Sequence, residues 1–158
     1  MDPTEVRSWR KAQRQRLLAL RIGTAPAERR LWGQQIDQQL RALLLQRPGI
    51  VLGVYWPFQA EFDPRLLIDW LIAAGSLVAL PVVVDKQGPL EYRAWRPGEK
   101  LVDGVWKIPI PEKRQVVVPQ AVLAPLVGFE FSQLETIYPQ DFDIPMDQSV
   151  TEAGIRGP

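Results

Sequence analysis

No cysteine and no histidine occur among the 158 residues. Without cysteine there is no disulfide, no thiolate nucleophile and no zinc ribbon. Without histidine there is no Ser-His-Asp triad and no imidazole-ligated metal. Any catalysis must rest on carboxylates, lysine, arginine, tyrosine, a bound cation or the substrate itself. Long apolar runs are missing as well: none approaches the ~18 residues of a membrane span. The start, "MDPTEVRSWRKAQRQR", lacks the apolar stretch of a secretory signal. A cytoplasmic protein without a membrane partner is the expectation.

What is present fits one soluble domain over residues 1–158, long enough for a real core, with 46% hydrophobic and 23% charged residues. The charge is uneven. Residues 1–50 carry 10 Lys and Arg against 4 Asp and Glu, while residues 51–158 carry 9 against 14. The basic end suits an anion, either nucleic acid or a nucleotide phosphate, or it is a solvated helix face. The acidic remainder and the lack of a recognised motif argue against nucleic acid.

Spacing predicts a helix over 3–21, where Val6, Trp9, Gln13, Leu17 and Leu20 recur every three or four positions. Arg7, Arg10, Lys11 and Arg14 fall on a neighbouring stripe. A second helix is expected over 26–45, with Trp32, Ile36, Leu40 and Leu43 inward. "IVLGVYW" (50–56) is an apolar run of strand length, stopped by Pro57. "EFDPRLLIDWLIAAG" reads as a helix with Asp63 as N-cap, Pro64 in its first turn and Gly75 beyond its end. "SLVALPVVV" (76–84) is a second buried strand, and "DKQGPLEYRAW" a turn plus a strand. Residues 96–113 read as loop. Short strands are expected around Pro119, with 121–127 buried. Strand, helix and strand over 50–84 form a βαβ unit and imply a parallel sheet. The expected fold class is α/β: a mostly parallel twisted sheet flanked by helices, in three layers.

Five stretches carry a family likeness, in order along almost the whole chain. They are "VRSWRKAQRQRLLAL", "GVYWPFQAEFDPRLLIDWLIAAGSLVALPVV", "YRAWRPGEKLVDGVWKIPIPE", "AVLAPLVGFE" and "PQDFDIPMDQSVTE". Together they resemble the 5-formyltetrahydrofolate cyclo-ligase family, also called methenyltetrahydrofolate synthetases. The resemblance implies a cyclo-ligase-like α/β domain, and a monomer is the expectation. It implies closure of 5-formyltetrahydrofolate to 5,10-methenyltetrahydrofolate with ATP and Mg²⁺. In that reaction the formyl oxygen is phosphorylated, N10 attacks and phosphate leaves. Such catalysis is positioning plus neutralisation of phosphate charge, and needs neither His nor Cys.

The resemblance also implies site residues. Arg10 matches a nucleotide-binding basic residue of the N-terminal helix. Arg7 is the nearest substitute for a lysine whose position holds Val6 here. Both would serve ATP, and both are otherwise surface charge. Tyr55, Trp56 and Glu61 fall in the folate-binding stretch, where an aromatic can stack on a pterin and a carboxylate can accept its N–H groups. Core packing is the other reading of the two aromatics, and a solvated residue ahead of Asp63 that of Glu61. Trp106 matches an aromatic that flanks the site, or it packs under its loop. Asp143, preceded by Phe142 where the family has His, is a candidate Mg²⁺ ligand or a turn residue before Ile144-Pro145.

One family segment is missing. After "PLVGF" relatives continue into a Gly-rich stretch of the type "RLGxGxGYYDR", whose backbone amides hold phosphate. Here Phe129, Glu130, Phe131 and Gln133 follow at once and resemble a later strand. The expectation is an internal gap or deletion near 128–131, which leaves the catalytic residues unassigned. Either the biological polypeptide carries the loop or the chain lacks it, losing a helix over the sheet and its ATP-dependent activity. Two functions follow: the cyclo-ligase reaction, or a catalytically inactive relative that binds reduced folate. Intact mass separates the two structural accounts. A value of 18.0 kDa belongs to the chain without the loop, and a few dozen residues more to the chain with it.

Overall fold

The computed structural model describes residues 2–124 and 127–157. Helix α1 (Pro3–Gly23) begins in a capping box. The Asp2 carboxylate accepts the Thr4 and Glu5 amides, and the Asp2 amide donates to the Glu5 carboxylate at 2.8 Å. Helix α2 (Pro26–Leu44) opens on a proline and buries Ile36, Leu40 and Leu44, one stripe at four-residue spacing. Strand β1 (Val51–Val54), helix α3 (Arg65–Ala73) and strand β2 (Leu77–Val82) form the expected βαβ unit, with β1 and β2 parallel.

Helix α3 starts later than its sequence signals predict. Pro64 occupies the cap position, yet Asp63 Oδ1 still accepts the Arg65 amide at 3.1 Å. Its end is as expected. Gly75 sits at φ +85°, and the Gly75 and Ser76 amides return to the carbonyls of Ile72 and Leu71. That is a Schellman closure, which only glycine adopts cheaply.

The remaining strands are short: β3 (Glu91–Ala94), β4 (Leu101–Asp103), β5 (Pro109–Pro111), β6 (Val116–Val117), β7 (Ala121–Leu123), β8 (Ser149–Thr151) and β9 (Gly154–Arg156). Three of them join β1 and β2 in one five-stranded sheet in the order β6-β3-β2-β1-β7. β2, β1 and β7 are parallel, and β3 and β6 add an antiparallel flank. The α/β architecture is the one expected. Residues 96–113 are not plain loop, because β4 and β5 pair within them as a hairpin. Gly104 permits it: a Cβ there would lie 2.7 Å from Ile110 Cγ2 and 2.9 Å from the Ile108 carbonyl. The hairpin of β8 and β9 is a further element without a sequence expectation. The strand expected over 121–127 ends at Leu123; Pro125 and Leu126 lie outside the described residues, and Val127 bridges Val150 in parallel.

One face of the sheet builds the core. Leu52 and Val54 of β1, Val78 and Leu80 of β2, and Leu123 of β7 join Ile36 and Leu40 of α2 and Leu67, Ile68 and Leu71 of α3 in a single buried cluster. The alternate positions of β1 and β2 are Gly53 and Ala79. A Cβ on Gly53 would meet Tyr92 Cε1 at 2.6 Å, so the Tyr92 ring lies across this small-residue strip. Val122, beside Gly53, is 50% exposed, and β7 is the edge strand.

The junction at Gly128–Phe131 is continuous and packed. The Gly128 amide donates to the Val150 carbonyl at 3.2 Å. Phe129 is buried, stacks on Phe131 at 5.8 Å between ring centroids and meets Trp32 of α2 at 5.4 Å. Burying a phenylalanine this fully means Phe129→Ala should cost about 3–5 kcal/mol. The shift in urea midpoint measures it. A loss under about 1 kcal/mol would mean that the junction is not packed in this way.

Candidate functional site

Strand β1 has a parallel neighbour on either side, β2 and β7, and the chain leaves it toward one and reaches the other much later. Such a switch in strand order opens a crevice beyond the carboxyl ends of the strands, where α/β sheets receive ligands. Residues 55–62 follow β1 directly at that end, and Gln59 and Phe62 among them line a cavity.

Local chemistry fixes that loop. Tyr55 is buried in the core, and its hydroxyl donates to the Phe62 carbonyl at 2.9 Å. Burial pushes its phenol above the ordinary tyrosine range, with the nearby Glu61 charge adding to the effect. Tyr55 is therefore a neutral structural tie. Gln59 (φ 48°) and Ala60 (φ 61°) occupy the left-handed region without being glycine. Such strain persists where surrounding bonds over-determine the backbone. Here the Glu61 amide donates to the Phe58 carbonyl at 3.1 Å, and the Phe58 amide donates to Glu61 Oε2 at 3.0 Å. The other Glu61 oxygen faces Arg21 of α1 at 3.6 Å.

Helix α1 forms one wall of a cavity of about 660 Å³ beside this loop. Arg14, Leu17, Leu18 and Arg21 line it, at the i, i+3, i+4, i+7 spacing that puts side chains on one helical face. Opposite stand Phe129 and Leu134 and, on the final hairpin, Thr151 and Arg156. Glu130 holds that wall together. It accepts the Thr151 hydroxyl at 2.6 Å and Arg156 at 2.5 Å and 3.0 Å, while its own amide donates to the Glu152 carboxylate. Arg156, ahead of the Thr151 hydroxyl, holds the Glu130 carboxyl below its usual range.

Arg10 and Asp143, 133 residues apart, meet in an ion pair. The guanidinium donates to both Asp143 oxygens (3.2 Å and 2.5 Å), to the Ile137 carbonyl at 2.8 Å and to the Tyr138 carbonyl at 2.9 Å. The Gln140 amide also donates to Asp143. Trp9 meets Tyr138 edge-on at 5.0 Å. Together these clamp residues 137–143 onto α1. Asp143 Oδ2 is thus already shared by two donors. Among the described residues no group of three His, Cys, Asp or Glu side chains gathers that could hold a metal ion. The residues present do not fit a metal centre at Asp143.

The other expected residues scatter. Trp56 sits against the core, edge-on to Trp95 at 5.7 Å. Arg7 is exposed on α1 and takes part in no ion pair among the described residues. Trp106 is 76% exposed, at φ 56°, and stands apart from the cavity. Glu61 and Tyr55 share the loop, and Arg10 and Asp143 share the clamp. The sequence reading missed Arg21, Glu130 and Arg156. For Arg21 the signal was available: the stripe of Arg14 runs on two turns to it. Glu130 and Arg156 meet only through the final hairpin, which has no local signature.

The clamp has a pH signature. Arg10, and after it the Gln140 amide, hold the Asp143 carboxyl below its ordinary value of 3.8. A depressed carboxylate stabilises the folded state above the unfolded pKa and loses that contribution as pH falls through the folded one. Hydrogen exchange of a peptide spanning 137–143, corrected for intrinsic rates, should therefore show steady protection from neutral pH down to about 4 and a loss below it. Asp143→Asn should lose protection already at neutral pH. Equal protection in variant and wild type would remove Asp143 from the clamp.

No protein-family model matches the sequence, and no curated protein matches it. Solved structures do. The Aquifex aeolicus 5,10-methenyltetrahydrofolate synthetase superposes with a TM-score of 0.78 at 19% identity, over 94% of this chain and 92% of that one. A 5,10-methenyltetrahydrofolate synthetase from Mycoplasma pneumoniae gives 0.57 at 20% identity, over 76% and 65%. The chain shares its fold with these synthetases.

Proposed function

We propose that this chain is a member of the cyclo-ligase family and that it converts 5-formyltetrahydrofolate to 5,10-methenyltetrahydrofolate with ATP. The observation that carries the reading is the fold shared over 94% of the chain with the Aquifex synthetase at a TM-score of 0.78. It agrees with the five ordered sequence stretches. The pterin lies beyond the end of β1, where Glu61 accepts its amino and ring N–H groups. Tyr55 holds the loop that presents Glu61, through its bond to Phe62. Trp56 contributes an aromatic edge beside that loop. ATP, when bound, supplies the phosphoryl group that turns the formyl oxygen into a leaving group. Arg7 and Arg10 are the α1 guanidiniums for its phosphates, and Arg10 reaches them once Asp143 lets go. No step is assigned to Mg²⁺, because among the described residues no group of three His, Cys, Asp or Glu side chains gathers that could hold it. Trp106 stays outside this arrangement.

A second reading is binding of reduced folate without turnover. The specific observation that favours it is the direct run from Gly128 into the buried Phe129, with no Gly-rich phosphate loop between them. In both readings the chain is a single cyclo-ligase-like domain.

Two measurements test the proposal. Formation of methenyltetrahydrofolate from 5-formyltetrahydrofolate, followed by absorbance, should require ATP. Calorimetry should show binding of 5-formyltetrahydrofolate that weakens about tenfold in Glu61→Gln, the size of one lost charged hydrogen bond. Folate binding without ATP binding or turnover selects the second reading. Folded protein that binds neither ligand refutes both.

A further inference from the structure

A second cavity, of about 570 Å³, lies between the last turns of α2 and the open edge of the sheet. Leu40, Leu43 and Leu44 of α2 and Val122 and Leu123 of β7 line this groove. Among the described residues β7 pairs with β1 and has no strand on its other side. An edge strand leaves amides and carbonyls there without a ladder partner, and proteins commonly guard such an edge with charge. Here no charged residue occurs from Gln115 to Phe129, and Val118 and Val122 are exposed. Pro119 and Pro125 bracket β7 in the sequence, which confines an added strand to the residues between them.

Residues 142–146 carry the matching shape. Arg10 holds the Asp143 carboxylate against α1, and its neighbours Phe142 and Ile144 are left 78% and 80% exposed. Met146, two residues on, is exposed as well and lines the groove. Phe142, Ile144 and Met146 thus form an apolar stripe with the period of a strand, and Pro145 disposes Ile144 to extended backbone. Because Met146 belongs to both, stripe and groove share one face. A face that carries both an open strand edge and an unburied strand-like stripe is self-complementary, as a two-fold contact requires. The charges agree with this. Arg47 and Asp147 both line the groove, and neither makes an ion pair among the described residues.

We propose that this face docks a second copy of the chain, in place of the monomer expected from sequence. The stripe of each copy lies in the groove of the other, along its β7, and Arg47 of each copy meets Asp147 of the other. Such pairs at the margin of a contact set its register more than its strength. An extended peptide of another protein could fill the groove, but it would leave the stripe exposed. Stripe and groove cover one another only between two copies. The dimer does not depend on the functional reading above.

Sedimentation equilibrium of the full chain, from micromolar to hundreds of micromolar, tests this. Twice the mass of one chain is expected at the upper end. Ile144→Asp puts a charge into the contact and should leave a monomer throughout. Val122→Lys guards the edge and should do the same. Both side chains are exposed, so circular dichroism and the urea midpoint should match the wild type. Should one variant unfold, the other decides. Arg47→Glu should weaken dimerisation about fivefold, and adding Asp147→Arg should restore it. Hydrogen exchange of a peptide covering 116–124 should slow as the concentration rises. A wild-type monomer at every concentration overturns the inference. A dimer that both variants leave intact overturns it too, since another surface then holds the copies together. A dimer in which exchange at 116–124 is independent of concentration removes β7 from the contact and overturns the strand pairing.

Discussion

The site depends on the position of β1. It is the strand with a parallel neighbour on each side, so its own residues must suit two faces at once. Leu52 and Val54 fill the core, while Gly53 leaves room for the Tyr92 ring. The chain leaves β1 toward β2 and reaches β7 only later. The loop at 57–62 must turn back there within a few residues. Two non-glycine residues accept left-handed backbone to do so, at a cost of order 1 kcal/mol or more each. Tyr55 and Glu61 hold the loop in that shape through the Phe62 carbonyl and the Phe58 amide. The strain is thus spent on presenting a carboxylate toward α1.

Helix α1 is attached to the rest mainly by polar contacts. Only Val6 of its 21 residues is buried, so the hydrophobic effect contributes little to its docking. Arg10 replaces that term with four hydrogen bonds to a distant segment. Single exposed ion pairs are worth little, but a guanidinium with several acceptors in one place gains from geometry. The same device recurs where Glu91 takes both Arg93 and Arg114, which hold its carboxyl down at about 2, and where Glu130 takes Arg156. A wall held by hydrogen bonds rather than packing can part to admit a ligand without disturbing the core.

Much of this was legible in the sequence, and what was not has a physical reason. Long elements announce themselves by period, so α1, α2 and the βαβ unit appear where apolar spacing puts them. The Schellman end of α3 was readable because Gly75 is close to obligatory there. Three-residue strands carry no period to read, so β4, β5, β8 and β9 escaped. Each pairs only with its neighbour in sequence, β4 with β5 around the tight approach at Gly104 and β8 with β9. The aromatic residues Tyr55, Trp56 and Trp106 were ambiguous from sequence, and the structure divides them. Tyr55 and Trp56 pack against the core, while Trp106 stands exposed. Ion pairs across 133 residues, as between Arg10 and Asp143, leave no trace in local spacing.

The absent Gly-rich segment bears on all of this. At the sheet's edge β7 has no further neighbour among the described residues, and Val122 is half exposed on the face opposite the core. Yet on the core side the joined ends fit. Val127 pairs with Val150, Phe129 and Phe131 reach Trp32, and Glu130 finds Thr151 and Arg156. Those contacts belong to the cavity wall that faces Arg14 and Arg21, and none of them needs the missing loop. A nucleotide site built on loop amides is a different matter, since the Gly-rich segment that would supply them does not occur in the sequence. The described residues therefore wall a cavity with side chains, and the sequence has no Gly-rich loop whose amides could hold a phosphate.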